Sequence, residues 1–365
     1  MTAIQATISN ESTPKQVGEP EMPAPNPSVP EADTVTLGPL ARAIRDAVLP
    51  EWPLPVSDQI NPAVREAGIR NLAWINAFGL AGTDNRYAAL RVSEGTAYCF
   101  PHADIDTLSL ATDWYAWLFV FDDFFNKYHS GRTPKELLGM PREGTPATLV
   151  AEDARAALNI SIRNAYDDLC RRTRMLMPPE QLTAFNSHLD LYFEGLLDEA
   201  RYEERRKIPT LDVFRPIRIA TQSPFALAFV EQSEGIKLPG WFYGTVEYRE
   251  LFYRMIEIFA WINDVFSAAK EYVDGETHNN LVIVLLHRDG GSMVDAARLA
   301  THMVGDALTQ FATRAVSVTA AMKATGTPPH EVAAVEQWIC GLRRHPNHFA
   351  WYLNNDRYGT GPNSE

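Results

Sequence analysis

Between Tyr248 and Tyr272 the chain runs without a Pro or a Gly, and apolar residues recur through the run at helical spacing. Asn263, Ser267 and Glu271 stand four residues apart within it. At about 100° per residue, each step of four turns a side chain only about 40°, so the three project to one side over roughly 12 Å. Their oxygens are an amide carbonyl, a hydroxyl and a carboxylate, hard donors that suit Mg²⁺ rather than a soft metal. Lys270 can place a positive charge beside the same spot. The plain reading is an amphipathic helix whose polar face meets water. However, Met255, Ile256, Phe259, Ala260, Ile262 and Phe266 make the helix apolar around most of its circumference, as in a buried helix. A polar stripe on a buried helix needs partners, and a metal with an anionic ligand would supply them.

The length, 365 residues with 45% hydrophobic, suffices for one large domain or two ordinary ones. The net charge of −13 argues against nucleic acid as a partner, because such binders carry a basic patch. It leaves room for an anionic substrate if divalent metals mediate. Cys99, Cys170 and Cys340 make neither a disulfide framework nor a zinc spacing, so a reducing cytoplasm is expected. No run approaches a membrane span, and the first residues lack a signal-peptide core.

Residues 1 to 38 hold Pro14, Pro20, Pro23, Pro25, Pro27 and Pro30 among small and acidic residues. By composition this is a disordered tail. From 39 to 365 one domain is expected. Helical periods follow one another over about 38–49, 62–78, 86–97, 104–128, 145–172, 178–206, 210–232, 240–273, 277–288, 291–324 and 328–353, with breaks at Pro or Gly. No stretch alternates like a strand. The fold class is therefore all-α, a bundle around a central apolar cavity.

A second polar cluster ends the run Ala116-Trp-Leu-Phe-Val-Phe121 with Asp122, Asp123 and, four residues after Asp122, Asn126. Asp122 and Asn126 share a face, and Asp123 lies about 100° away. Asp122 is the better direct ligand. Acids near a helix C-terminus oppose the helix dipole, which favours a functional reason for them. Tyr115 and Phe119 lie on the Asp122 side. Two metal-binding motifs beside aromatic sequence suit a diphosphate ester with a hydrocarbon tail, head at the metals and tail in the cavity.

Here the chain resembles the bacterial class I terpene synthases (terpene cyclases), over most of its length from Leu37 to Tyr358. Asp122-Asp123-Phe-Phe-Asn126 resembles the aspartate-rich motif of that family. Asn263, Ser267 and Glu271 with Lys270 resemble its second metal-binding triad, and Gly275 to Val282 looks like the usual sequel. Arg218 stands where the family keeps a diphosphate-sensing arginine, and Arg357-Tyr358 resembles its C-terminal pair.

The resemblance implies three Mg²⁺ held by Asp122, Asp123 and Asn126 on one side and by Asn263, Ser267 and Glu271 on the other. It implies that Arg218, Lys270, Arg357 and Tyr358 donate to the diphosphate. Ionisation of a linear prenyl diphosphate would give an allylic cation, which cyclises. Farnesyl diphosphate is the first expectation for substrate; geranylgeranyl diphosphate follows, then geranyl or methylated geranyl diphosphate. A homodimer is implied by the family alone. Tyr115, Phe119, Phe225 and Trp351 are candidates for the cavity wall, whereas Trp261 faces away from Asn263 and is assigned to packing. His102, His278, His345 and His348 have no metal spacing and are assigned loop or core roles.

Two departures stand out. Asn126 replaces a third acid, and it offers a metal only a carbonyl. The family breaks a helix after its sensing arginine, commonly at Gly, yet Thr221-Gln222-Ser223-Pro224 contains none, so Ser223 with Pro224 must make the break. Arg215 is the other candidate for the sensor; Thr221 favours Arg218, and the effector is Gln222 or Ser223. Two rival functions share these residues. A prenyl-chain elongating synthase would carry a second Asp-rich motif in place of the triad. A catalytically silent prenyl-diphosphate-binding protein would lack metal-dependent diphosphate release.

Overall fold

A computed structural model describes residues 36–55, 59–81, 90–129, 131–139, 154–276, 278–353 and 355–360. Its elements are helices throughout: α1 Leu37–Val48, α2 Val64–Ala77, α3 Val92–Cys99, α4 Ile105–Tyr128, α5 Pro134–Leu137, α6 Ala154–Leu176, α7 Pro179–Glu204, α8 Leu211–Thr221, α9 Pro224–Leu227, α10 Val230–Ser233, α11 Val246–Asp274, α12 Leu281–Asp289, α13 Met293–Ala324, α14 Pro329–Leu342 and α15 Phe349–Tyr352, with short 3-10 turns between some of them. Among the described residues there is no strand. The expected segment 1 to 38 falls almost wholly outside the described residues, as do parts of the expected helices at 86–97 and 145–172.

Local chemistry sets several boundaries. Asp104 caps α4 by accepting the Thr107 N–H at 2.8 Å, and Thr245 caps α11 through the Tyr248 N–H at 3.1 Å. Gly275 ends α11 at φ +78°, a left-handed residue where Gly carries no Cβ penalty. Asn280 opens α12 by accepting the Val282 N–H at 2.8 Å.

Three long expected helices are shorter or broken. The 240–273 helix starts at Val246, after a 3-10 turn at Phe242–Gly244. The 328–353 helix stops at Leu342; Pro346 follows in a 3-10 turn, His345–His348, before α15. The 210–232 helix stops at Thr221 and resumes at Pro224. At this break Ser223 takes φ +61°, ψ +59°. Ser223 and Pro224 thus make the break without a Gly.

The core-facing helix α11 packs against α13, α12, α1 and α8. On the other side α4 packs against α2, α3 and α6, and α7 packs against α8 and α9. Met255, Ile256, Phe259, Ala260, Ile262 and Phe266 of α11 are all buried. At about 25 cal/mol per Å² of apolar surface removed from water, the larger of these each contribute roughly 1.5–3 kcal/mol. Among the described residues no helix is long and apolar enough to cross a membrane. The bundle leaves a cavity between α3, α4, α7, α8, α11 and the C-terminal segment.

Candidate active site

The cavity holds about 250 Å³, with a polar rim and an apolar floor. From α4, Asp122, Asp123 and Asn126 stand at the rim, and from α11, Asn263, Lys270 and Glu271. Arg218, Thr221 and Gln222 reach it from the end of α8, and Arg357 and Tyr358 from the C-terminal segment. Tyr115, Leu118, Phe119, Phe259 and Trp351 line the cavity as well. The helical phase that the sequence gives to α4 and α11 thus brings the two polar motifs to one space.

Two expected residues stay outside it. Phe225 does not line the cavity: it is fully buried, and its ring packs edge-on against Trp114 at 5.1 Å and Phe185 at 5.5 Å. Its place in α9, just past the break, turns it into the core. Ser267 is also not at the surface of the cavity; it is buried, and its Oγ accepts from Asn280 Nδ2 at 3.3 Å. Asn280 covers it, and the same amide donates to Glu271 Oε2 at 2.8 Å and to the Asp264 carbonyl at 3.0 Å.

Arg218 is almost fully buried. Its Nε donates to Asp264 Oδ1 at 2.8 Å and its Nη2 to Asn263 Oδ1 at 2.6 Å. Although burial disfavours the charged guanidinium, Asp264 more than offsets it and the pKa is raised. Arg215, the other candidate sensor, faces a different groove. It donates to Glu257 at 2.8 Å and lies 5.5 Å over the Trp261 ring. Trp261 is buried there, in keeping with a packing role. Asn263 is held from its other end by Tyr352, whose hydroxyl accepts from Nδ2 at 2.6 Å.

The rim is crowded with acid. Burial raises the Glu271 carboxyl to about 7, and the nearby Asp264 adds to the rise. Burial also raises Asp122, with Asp123 and Glu276 adding to it and Arg218 and Arg357 opposing it. Across the cavity Glu199 is raised by burial and then by Asp122. These carboxylates destabilise one another and would be relieved by cations. Among the described residues no three His, Cys, Asp or Glu side chains gather closely enough to hold a metal ion alone. The donor set therefore fits a hard divalent ion bound together with a diphosphate.

Lys270 pairs with Asp274 and Glu276, each at 2.9 Å. The Arg357 guanidinium lies 5.5 Å over the Phe119 ring. Trp351 packs near Phe119 at 6.3 Å and donates its Nε1 to the Leu90 carbonyl at 3.0 Å. Tyr115 reaches His345 Nε2 at 3.2 Å.

Sequence reasoning missed several residues of the site. Tyr192, Glu199 and Glu203 of α7 line the cavity. Their spacing of seven and four places them on one helical face, a signal readable in the 178–206 period. Asn279 links the two sides of the rim by donating to Thr221 Oγ1 at 2.8 Å. His278, in the loop before α12, and His348, buried like His345, keep the expected loop and core places and also line the cavity. No spacing marks them, because the chain fold alone brings them there.

Comparison with known proteins gives a consistent picture. The model of terpene synthase family 2, C-terminal metal binding, matches residues 113–310. The chain is 27% identical to pristinol synthase of Streptomyces pristinaespiralis over 314 residues, 84% of this chain and 83% of that protein. It is 28% identical to (+)-T-muurolol synthase of Roseiflexus castenholzii over 308 residues, 83% of this chain and 92% of that protein. A solved point variant of cucumene synthase superposes with a TM-score of 0.68 at 24% identity, covering 84% of this chain and 99% of that one, which shows a shared fold.

Proposed function

The chain belongs to terpene synthase family 2, and on that premise we propose that it ionises a linear prenyl diphosphate and cyclises the hydrocarbon to a terpene, with farnesyl diphosphate as the substrate. The observation that carries the reading is one cavity with acids and cations at its rim and aromatic rings on its wall. A diphosphate ester has that same division between head and tail. The choice of farnesyl diphosphate follows the Roseiflexus relative, whose name says that it cyclises (2E,6E)-farnesyl diphosphate.

In this reading Asp122, Asp123, Asn126, Asn263 and Glu271 would hold three Mg²⁺, and Ser267 would join them from beneath Asn280. Metal ions held there would supply positive charge to offset that of the leaving diphosphate. Arg218, Lys270, Arg357 and Tyr358 donate to its oxygens and orient it. Thr221 and Gln222, at the end of α8, couple Arg218 to the helix break. Tyr115, Phe119 and Trp351 exclude water and offer ring faces to the positive charge.

A cytoplasmic location fits three free cysteines. A homodimer belongs to the same reading, and size-exclusion chromatography checks it. Nucleic acid is not a partner of so acidic a chain.

The test incubates the purified protein with geranyl, farnesyl and geranylgeranyl diphosphate, with Mg²⁺ or EDTA. Diphosphate release and extracted products are measured together. Farnesyl diphosphate is expected to give a cyclic product and release diphosphate only with Mg²⁺. Release that survives EDTA, or no release from any of the three, overturns the reading. A cyclic product from another chain length keeps the chemistry and replaces the substrate.

A further inference from the structure

Two consecutive asparagines stand at the start of α12 and face opposite ways. The amide of Asn280 serves the triad helix, donating to the Asp264 carbonyl, Ser267 Oγ and Glu271 Oε2. Asn279 serves the other side of the cavity. Its Nδ2 donates to Thr221 Oγ1 at 2.8 Å, and the same side chain hydrogen-bonds the Glu199 carboxylate of α7. A carboxylate can only accept, so the NH2 end of the amide faces Glu199 and Thr221, with one hydrogen for each. The other end, Oδ1, is buried without a partner. An unsatisfied buried oxygen destabilises the fold unless something offsets it, and two N–H donors are what this amide gives in return.

Thr221 is the last residue of α8, three after Arg218 and two before the left-handed Ser223. Its Oγ1 accepts from Asn279 and turns its own hydrogen toward the Arg218 carbonyl at 3.5 Å. The backbone ladder of α8 ends there: the Gln222 N–H still donates to the Arg218 carbonyl at 3.0 Å, and the Ala226 N–H on the Ser223 carbonyl, also at 3.0 Å, already belongs to α9. The tie from Asn279 thus meets the chain where its own backbone bonds hold it least.

We propose that Asn279 is a positioning residue of the ionisation step: through Thr221 it holds the broken end of α8 in place against the triad helix. The assignment rests on the cyclase reading given above. Asn279 acts through Thr221 and needs no contact of its own with the substrate. Arg218 keeps its bonds to Asp264 and Asn263 whether or not Asn279 is present. Losing the tie therefore disturbs the break and leaves the diphosphate-binding cation in place, so turnover suffers more than binding.

The experiment is a double-mutant cycle on diphosphate release from farnesyl diphosphate with Mg²⁺. It compares wild type, Asn279→Ala, Thr221→Val and the two together, each with its urea midpoint. Each single variant is expected to lose about tenfold in kcat, the scale of one buried hydrogen bond, while KM moves by less than about threefold. The double variant should be no slower than Asn279→Ala alone, because both changes remove the same bond. Losses that multiply to about a hundredfold overturn the assignment, since Asn279 would then act independently of Thr221. A wild-type kcat in either single variant overturns it too. Asn279→Asp keeps the size of the side chain but offers Thr221 no N–H, and it should be at least as slow as Asn279→Ala. If Asn279→Ala fails to fold, the cycle is run with Asn279→Asp, and a wild-type kcat there overturns the assignment. A wild type that releases no diphosphate from any of the three prenyl diphosphates overturns the cyclase reading itself, an outcome distinct from all of these.

Discussion

Arg218 Nη2 donates to Asn263 Oδ1 at 2.6 Å, so the candidate diphosphate sensor and a candidate metal ligand share one oxygen. Asp264, the residue next to Asn263, holds the same guanidinium through Oδ1. Its Oδ2 accepts the Leu281 N–H at 2.9 Å, which ties the start of α12 to α11. One buried carboxylate thus fixes both the cation and the loop that follows the triad.

Asp264→Asn keeps the shape and removes the charge. It leaves Arg218 buried without its countercharge, which costs about 3–5 kcal/mol. Urea denaturation should show that loss, and diphosphate release should fall as Arg218 loses its orientation. Full stability in the variant would mean that the pair is not what holds this end of the bundle.

Glu271→Gln keeps an acceptor for Asn280 Nδ2, so the fold should melt within a few degrees of wild type. Diphosphate release should drop by about a hundredfold or more, the scale on which one electrostatic contact to a leaving group acts. A Mg²⁺ titration of the rate checks the cause, since the variant should need more metal. A wild-type rate with unchanged metal dependence would remove Glu271 from the site.

Ser223 holds a left-handed backbone that costs a non-glycine residue about 1–2 kcal/mol. Ser223→Gly should relieve part of this, raising stability by roughly 0.5–1 kcal/mol in thermal melts. Ser223→Val should lose stability by more than that. Product formation is expected to persist in the Gly variant, since the break is retained. If Ser223→Gly is less stable than wild type, the serine side chain matters more to the break than its backbone strain.

His188 stacks on Phe252 at 4.3 Å and meets the hydroxyls of Tyr248 and Tyr253 at 3.2 and 3.3 Å. Burial lowers its pKa from 6.5 to about 4. Above pH 6.5 the ring is neutral in both folded and unfolded chains, and its contribution to stability is complete. As pH falls from there to about 4, the unfolded chain takes up the proton first and stability is lost. His188→Gln should flatten the decline by at most about 1.4 kcal/mol per pH unit. Denaturation midpoints measured between those limits decide it, and an unchanged slope would place the proton uptake elsewhere, for instance at His345 or His348.

The helical periods were legible because they are local. The phase of about 100° per residue put Asp122 with Asn126, and Asn263 with Glu271, before any tertiary contact was known. The same phase placed Ser267 beside Glu271, and the two are hydrogen-bonded, but Asn280 also donates to the Ser267 oxygen from outside the helix. Nothing within α11 announces that cover, which arrives from the far side of a loop. Phe225 differs for a related reason: the break at Ser223 redirects the chain, and no period survives it.

What the sequence by itself determined is the all-α class, the two polar motifs and the opposition of acids to aromatics, because each follows from spacing along one helix. Only the tertiary structure decided that Glu199 and Glu203 join the rim, that Arg218 rather than Arg215 reaches it, and that His348 comes to line the cavity. Those three depend on which faces of distant helices meet. That choice is set by packing across the whole bundle, and no residue's neighbours in the chain encode it.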